Sequence, residues 1–140
     1  RALQEARFTG MTAGPSNGEY FECFRLASSL QYIEGVDFSA ANDAGDYHNM
    51  FNATRNIKWI NFPGSTGDQK GFKVTVNLLY NPLTTGAMVN IFSHLSDNRG
   101  GTKYSITLTN NSYTADLTSD QIAIATGRNW QVVTSEATYN

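Results

Sequence analysis

The sequence predicts an α/β solenoid, with short parallel strands stacked on one face and short helices on the other. Two observations predict this fold class. Part of the chain repeats itself after 27 residues, and helix-like and strand-like hydrophobic patterns alternate along its length. The 140 residues are 40% hydrophobic and 16% charged, which suits a packed core and not a disordered tail.

The repeat is clearest when residues 18–33 are placed over residues 45–60. Glycine, acidic and tyrosine positions then coincide at the start, and Tyr32 falls on Trp59 further on. A period near 27 lies within the range of about 20–29 residues that leucine-rich repeats use. One unit cannot bury its own apolar face, so neighbouring units must stack. We therefore predict a leucine-rich-repeat-like solenoid over residues 1–140, as a single domain of about four to five irregular units.

The first two units each predict a helix followed by a strand. Helices are expected over residues 18–27 and 45–53, where apolar residues recur three and four apart. Strands are expected over residues 30–36 and 57–62, because Ile57, Ile60 and Phe62 stand at the leucine-rich-repeat spacing L-x-x-L-x-L and the last two alternate as in a strand. After a loop rich in proline and glycine, the alternation over residues 72–78 predicts a third strand.

Helix-capping signals mark the second half of the chain. Thr84 stands where it can cap a helix, and Thr118-Ser119-Asp120-Gln121 matches the capping box of another helix. Gly127 suits the end of that second helix. Strands are predicted around Ile106 and over residues 130–133. The order of helix and strand therefore continues to the end of the chain.

Composition and charge exclude several partners. The formal net charge is −2, which favours neither nucleic acid nor an anionic membrane, and no apolar run approaches the roughly 18 residues of a membrane span. Cys23 is the only cysteine, so no structural zinc site is expected; it aligns with Met50 in the next unit, so we expect a small buried hydrophobe there. No cofactor is expected. Because a structured element already starts near residue 3, we expect a fragment of a longer chain, with an end cap near residues 115–135.

The segment Met50-Phe51, followed after five residues by Ile57-x-x-Ile60-x-Phe62, resembles the repeat of BspA-like leucine-rich-repeat proteins. Residues 85–95 and 117–130 are similar to the closing repeats of such proteins in bacteria and tailed phages. The resemblance implies a bacterial surface adhesin or a protein of a phage tail or fibre, located on a virion or on a cell surface. Its partners would be a host-surface glycan or protein, or neighbouring subunits, as in a homo-oligomer. The family has no shared catalytic residues.

The strand pattern also predicts a binding surface. In a strand with the pattern L-x-x-L-x-L, the three apolar residues at positions one, four and six face the core. The residues at positions three and five therefore face outward. Stacking the strands at the observed offset places the outward residues in two rows: Glu5, Tyr32 and Trp59 in one, and Arg7, Glu34 and Asn61 in the other. Exposed aromatic rings beside carboxylate and amide groups suit a sugar ring or a protein partner. Alternatively, the two aromatic rings cover each other or pack against another subunit.

Other candidate sites have simpler explanations. His48 and His94 have no metal-binding spacing, so a structural role at the surface is expected for both. Asp37, Asp43 and Asp46 do not match a calcium loop, and turn roles are expected for them. No catalytic residues and no metal ligands are predicted.

Three functions remain open from the sequence. The first is a non-catalytic recognition or structural module that binds a surface glycan or protein through the two rows. The second is a glycan-degrading enzyme domain of a fibre, for which Glu5 with Glu34, or Glu34 with Asp37, are the candidate carboxylate pairs. The third is a purely structural spacer in a virion or surface assembly.

Overall fold

The computed structural model describes residues 2–12, 24–41, 50–51, 53–65 and 67–140. Within these residues the chain forms seven β-strands, two α-helices and one 3-10 helix. In chain order the elements are β1 (Glu5–Thr12), β2 (Tyr32–Asp37), β3 (Trp59–Asn61), β4 (Val76–Asn77), α1 (Thr85–His94), β5 (Tyr104–Thr107), the 3-10 helix (Thr114–Asp116), α2 (Ser119–Thr126), β6 (Trp130–Val133) and β7 (Thr138–Tyr139).

The strands form two separate sheets. Strands β1, β2 and β3 make a parallel first sheet in that order. Strands β4, β5, β6 and β7 make a second sheet, which is parallel except that β7 runs antiparallel to β6. The predicted leucine-rich-repeat-like solenoid is therefore wrong, because it required one continuous stack of parallel strands with all helices on the opposite face. The described residues form a small mixed α/β fold instead.

The first sheet stops at β3 because the next segment at the repeat spacing is helical. The 27-residue spacing that leads from Tyr32 to Trp59 next reaches Gly86, which stands in the first turn of α1 and not in a strand. Helix α1 packs against β3, and Asn90 Nδ2 donates to the Ile60 carbonyl at 2.8 Å. A helix thus takes the place of a fourth strand.

The two sheets differ in whether their strands come before or after a recurring turn in the chain. Leu26, Ala53 and Tyr80 recur at the 27-residue spacing and share a φ near +60°, and Asn110 repeats this conformation. Strands β2 and β3 follow their turns in the chain, whereas β4 and β5 precede theirs. The units therefore change from the order turn–strand to the order strand–turn–helix, and this reversal separates the two sheets.

The turns are joined to one another by a buried asparagine. Asn81 Oδ1 accepts from Thr54 Oγ1 at 3.2 Å and from Ile57 N at 2.9 Å. Its amide nitrogen donates to the carbonyl oxygens of Leu78 and Leu79. One side chain thereby satisfies backbone groups of two successive turns, which a buried turn requires.

Both predicted C-terminal helices are confirmed with their caps. Thr84 Oγ1 accepts from Ala87 N at 3.2 Å at the start of α1. At the start of α2, Thr118 and Gln121 make both bonds of the capping box. The sequence predicts helices over residues 18–27 and 45–53, and most of these residues lie outside the described part of the chain. Residues 24–26, which are described, form a turn.

One hydrophobic core connects the two sheets and the helices. Between β3 and β4 the core is aromatic, with the Phe62 ring 5.2 Å from the Phe72 ring and Phe38 5.0 Å from Phe72. The strand predicted over residues 72–78 is shortened to Val76–Asn77, because backbone groups near Phe72 bond to the segment after α1 instead of to β3. Its alternating burial is nevertheless as predicted.

Candidate functional site

The exposed face of the first sheet carries the two predicted rows of side chains. Glu5 pairs with Tyr32 across β1 and β2, and Tyr32 pairs with Trp59 across β2 and β3. The second row follows in the same way: Arg7, Glu34 and Asn61. The register predicted from the sequence is therefore confirmed for all six residues.

Burial of the alternate residues forces these side chains outward. Ala6, Ile33 and Ile60 pair with one another between the two rows, and each is at most 9% exposed. Since successive side chains of a strand point to opposite faces, the neighbours of this buried row must face away from the core. Tyr32 remains 42% exposed, so Trp59 does not fully cover it, and Trp59 itself is partly buried.

Arg7 lies between two carboxylates. Its Nε is 3.3 Å from Glu5 Oε2, and its Nη1 is 3.2 Å from Glu34 Oε2. All three side chains are substantially exposed, so these ion pairs contribute little to stability. They bring three charged groups together beside Tyr32 and Trp59.

The two rows line a groove of about 430 Å³. The lining consists of the six predicted residues together with Ile33, which stands between the two rows on β2 and whose side chain is buried on the core side. This volume falls within the usual range of ligand pockets, about 300–1,000 Å³. The structure therefore brings all six predicted residues to one concave surface.

A β-bulge adjoins this groove, and the sequence analysis missed it. Between the Arg7–Glu34 pair and the next pair, β1 contains three residues where β2 contains only Gly35. Gly10 and Gly35 have φ values of +67° and +87°, and a Cβ on Gly35 would lie 2.1 Å from Phe8 O. The available signal was an isolated glycine within each strand pattern, which is typical of a bulge. Bulges often lie next to functional sites.

Several of the other candidate residues have structural roles. His94 is only 5% exposed and its Nδ1 donates to Asn90 O at 2.8 Å, so the predicted surface position is wrong. Burial would raise the pKa of Asp37, but hydrogen bonds from Ser39 and Lys70 outweigh it and lower the pKa. This ion pair and the bond from Ser39 N agree with a turn role for Asp37. Cys23, His48, Asp43 and Asp46 lie outside the described residues.

A second groove, of about 350 Å³, lies between α2 and the C-terminal strand β7. Its lining is uncharged and consists of Ser119, Ile122, Ala123, Thr126, Thr138, Tyr139 and Asn140. It offers no charged side chain, and its one aromatic ring, Tyr139, is half-buried. We therefore regard the groove on the first sheet as the candidate site.

No group of histidine, cysteine, aspartate or glutamate side chains in the described part of the chain could hold a metal ion. The two α-helices described there have 10 and 8 residues, which is too few to span a bilayer. Family models, curated proteins and solved structures were compared with the chain, and none matches it. The resemblance to BspA-like proteins therefore stays a prediction.

Proposed function

We propose that this protein is a non-catalytic recognition module that binds a glycan through the groove on its first sheet. One observation supports the proposal most directly. Tyr32 and Trp59, an exposed and a half-buried aromatic side chain, lie side by side in a groove whose other lining groups are carboxylate, guanidinium and amide. Aromatic faces attract the C–H face of a sugar ring, and the polar groups can bond its hydroxyls. The resemblance favours a glycan on a host surface, with the protein itself on a virion or a cell surface.

The exposed face of the second sheet is less suited to recognition. Its alternate residues in β5 and β6 are uncharged and only partly exposed: Ser105, Thr107, Gln131 and Val133. The aromatic residues of these strands, Tyr104 and Trp130, pack against each other with ring centroids 5.7 Å apart. A surface with both aromatic and charged groups is thus found on the first sheet and not on this one.

A glycan-degrading enzyme is less well supported. Such an enzyme needs one carboxylate that holds a proton and a second that is free to act as nucleophile or base. In the first candidate pair, Glu5 and Glu34 both contact the Arg7 guanidinium, which therefore lies between the two carboxylates where an enzyme would place its substrate. In the second pair, Asp37 does not line the groove and is bound to Lys70 at 2.9 Å. These contacts favour binding over bond cleavage.

A glycan array followed by titration tests the proposal. The unaltered chain should bind a defined set of glycans, and Trp59→Ala should weaken that binding at least tenfold, or by about 1.4 kcal/mol. Tyr113→Ala is the matched control, because Tyr113 is 44% exposed but lies outside the groove. Circular dichroism would confirm that both variants fold.

Four results would contradict the proposal. Equal loss of binding in both variants would show that the groove is not the site. Binding by neither the unaltered chain nor the variants would favour the structural spacer, while binding to an isolated surface protein alone would make a protein the partner. Cleavage of any glycan on the array, lost in Glu34→Ala, would favour the enzyme.

A further inference from the structure

We infer that the groove selects an uncharged pyranose and discriminates against sugars that carry a carboxylate or sulfate. This inference rests on the proposed function and specifies its ligand. It follows from the order of groups along the groove and from the way in which the Arg7 guanidinium is already engaged.

The row of Glu5, Tyr32 and Trp59, here called the aromatic row, provides the surface on which a sugar ring can stack. Tyr32 and Trp59 occupy paired positions on neighbouring strands, which stand about 4.8 Å apart. Their side chains leave the sheet on the same face, so one ring can contact both. Tyr32 is exposed enough to be contacted without any rearrangement of the groove.

The row of Arg7, Glu34 and Asn61, here called the polar row, lies two residues further along the strands. The two rows are therefore about 6.6 Å apart. There Glu34 and Asn61 occupy paired positions, next to each other on β2 and β3. Carboxylate oxygens accept from sugar hydroxyls in short, charge-assisted hydrogen bonds, and the Asn61 amide can both donate and accept. A ring stacked on the aromatic row therefore directs its hydroxyls towards groups that suit neutral sugars.

The charges in the groove oppose an acidic ligand. Among the described residues of the lining, the charged side chains are Glu5, Glu34 and Arg7. Two carboxylates and one guanidinium leave a formal charge of −1, and the guanidinium already contacts both carboxylates at 3.3 and 3.2 Å. An incoming carboxylate must either displace Glu34 from Arg7 or lie beside two like charges. A neutral hydroxyl has neither cost.

The experiment compares matched glycans on the unaltered chain. Lactose is paired with 3′-sialyllactose, and cellobiose with its uronic acid form, each titrated at about 0.15 M salt, where exposed charges more than about 8 Å apart are screened. We expect the acidic member of a pair that binds to be at least tenfold weaker. Glu34→Gln, which brings the formal charge of the lining to zero, should narrow that ratio.

The outcomes separate this inference from the proposed function. If the acidic member binds as well as or better than the neutral one, and Trp59→Ala still weakens both, the selectivity is refuted and the groove remains the site. If no member of either pair binds and the Trp59 indole N–H resonance does not shift, both the selectivity and the proposed binding of glycans in the groove are overturned. Because the main comparison uses the unaltered chain, it does not depend on the folding of a variant.

Discussion

Replacing Gly35 with alanine should destabilise the protein through a single steric conflict beside the groove. Gly35 lies opposite the bulge of β1, at a φ of +87°. An alanine Cβ at this position would lie 2.1 Å from Phe8 O, closer than the 3.0 Å below which such contacts are essentially never seen. Since the conflicting atom belongs to the backbone, no side-chain rotation can relieve it, and β1 must move away from β2.

The expected loss has two parts. Holding an alanine in the left-handed region costs about 1–2 kcal/mol. Displacing the backbone of β1 weakens its neighbouring hydrogen bonds to β2, each worth about 0.5–1.5 kcal/mol. The total is about 2–4 kcal/mol, a large share of the roughly 5–15 kcal/mol that stabilises a typical domain.

Urea unfolding followed by tryptophan fluorescence measures this loss. Gly10→Ala is the matched control, because Gly10 lies in the same bulge at a φ of +67° but no described atom is within 4 Å of its added Cβ. It should lose only the conformational part, about 1–2 kcal/mol. An equal loss of unfolding free energy in the two variants would refute the steric argument, and so would a Gly35→Ala protein as stable as the unaltered chain.

Two further predictions concern the region after α1. Arg128→Met should lower the free energy of unfolding by about 2–3 kcal/mol, because Arg128 Nη1 donates to the carbonyls Ser93 O and Leu95 O at the end of α1, at 3.0 and 2.8 Å. Arg128→Lys should recover part of the lost free energy. An unchanged urea midpoint in Arg128→Met would contradict this prediction. The hydrogen bond from Arg99 lowers the pKa of Asp97 to about 2. The stabilising effect of ionised Asp97 should therefore be present above about pH 4 and disappear as the pH falls towards 2. An NMR titration of the Asp97 carboxyl should show this midpoint, and Arg99→Gln should return it towards 3.8; an unshifted midpoint in the unaltered chain would disprove the pairing.

Local signals in the sequence were sufficient for several features. The caps at Thr84 and Thr118 are confirmed because a capping side chain bonds to backbone only two or three residues away. The pairing of Tyr32 with Trp59 is confirmed because a one-residue slip would turn the buried Ile33 and Ile60 outward. The strong preference for burying alternate residues therefore made the two rows of the groove predictable.

Other features depend on groups that are distant in the sequence. His94 looks like a polar residue at the end of a helix, and its burial follows from the packing of Phe62, 5.5 Å away between ring centroids. The bulge at Gly35 depends on the close approach of Phe8 O on another strand. Neither contact leaves a pattern within a single segment.

The sequence by itself determined which segments are neighbours in the first sheet, which of their residues face outward and where the two C-terminal helices begin. Only the tertiary structure decided on which side of the turns each strand lies, and hence that there are two sheets and not one continuous stack. The physical reason is that an alternating apolar pattern shows which side chains are buried, but not which element of the fold packs against them. The side chain of Asn90, bonded to Ile60 O thirty residues away, belongs to the helix that ends the first sheet at β3.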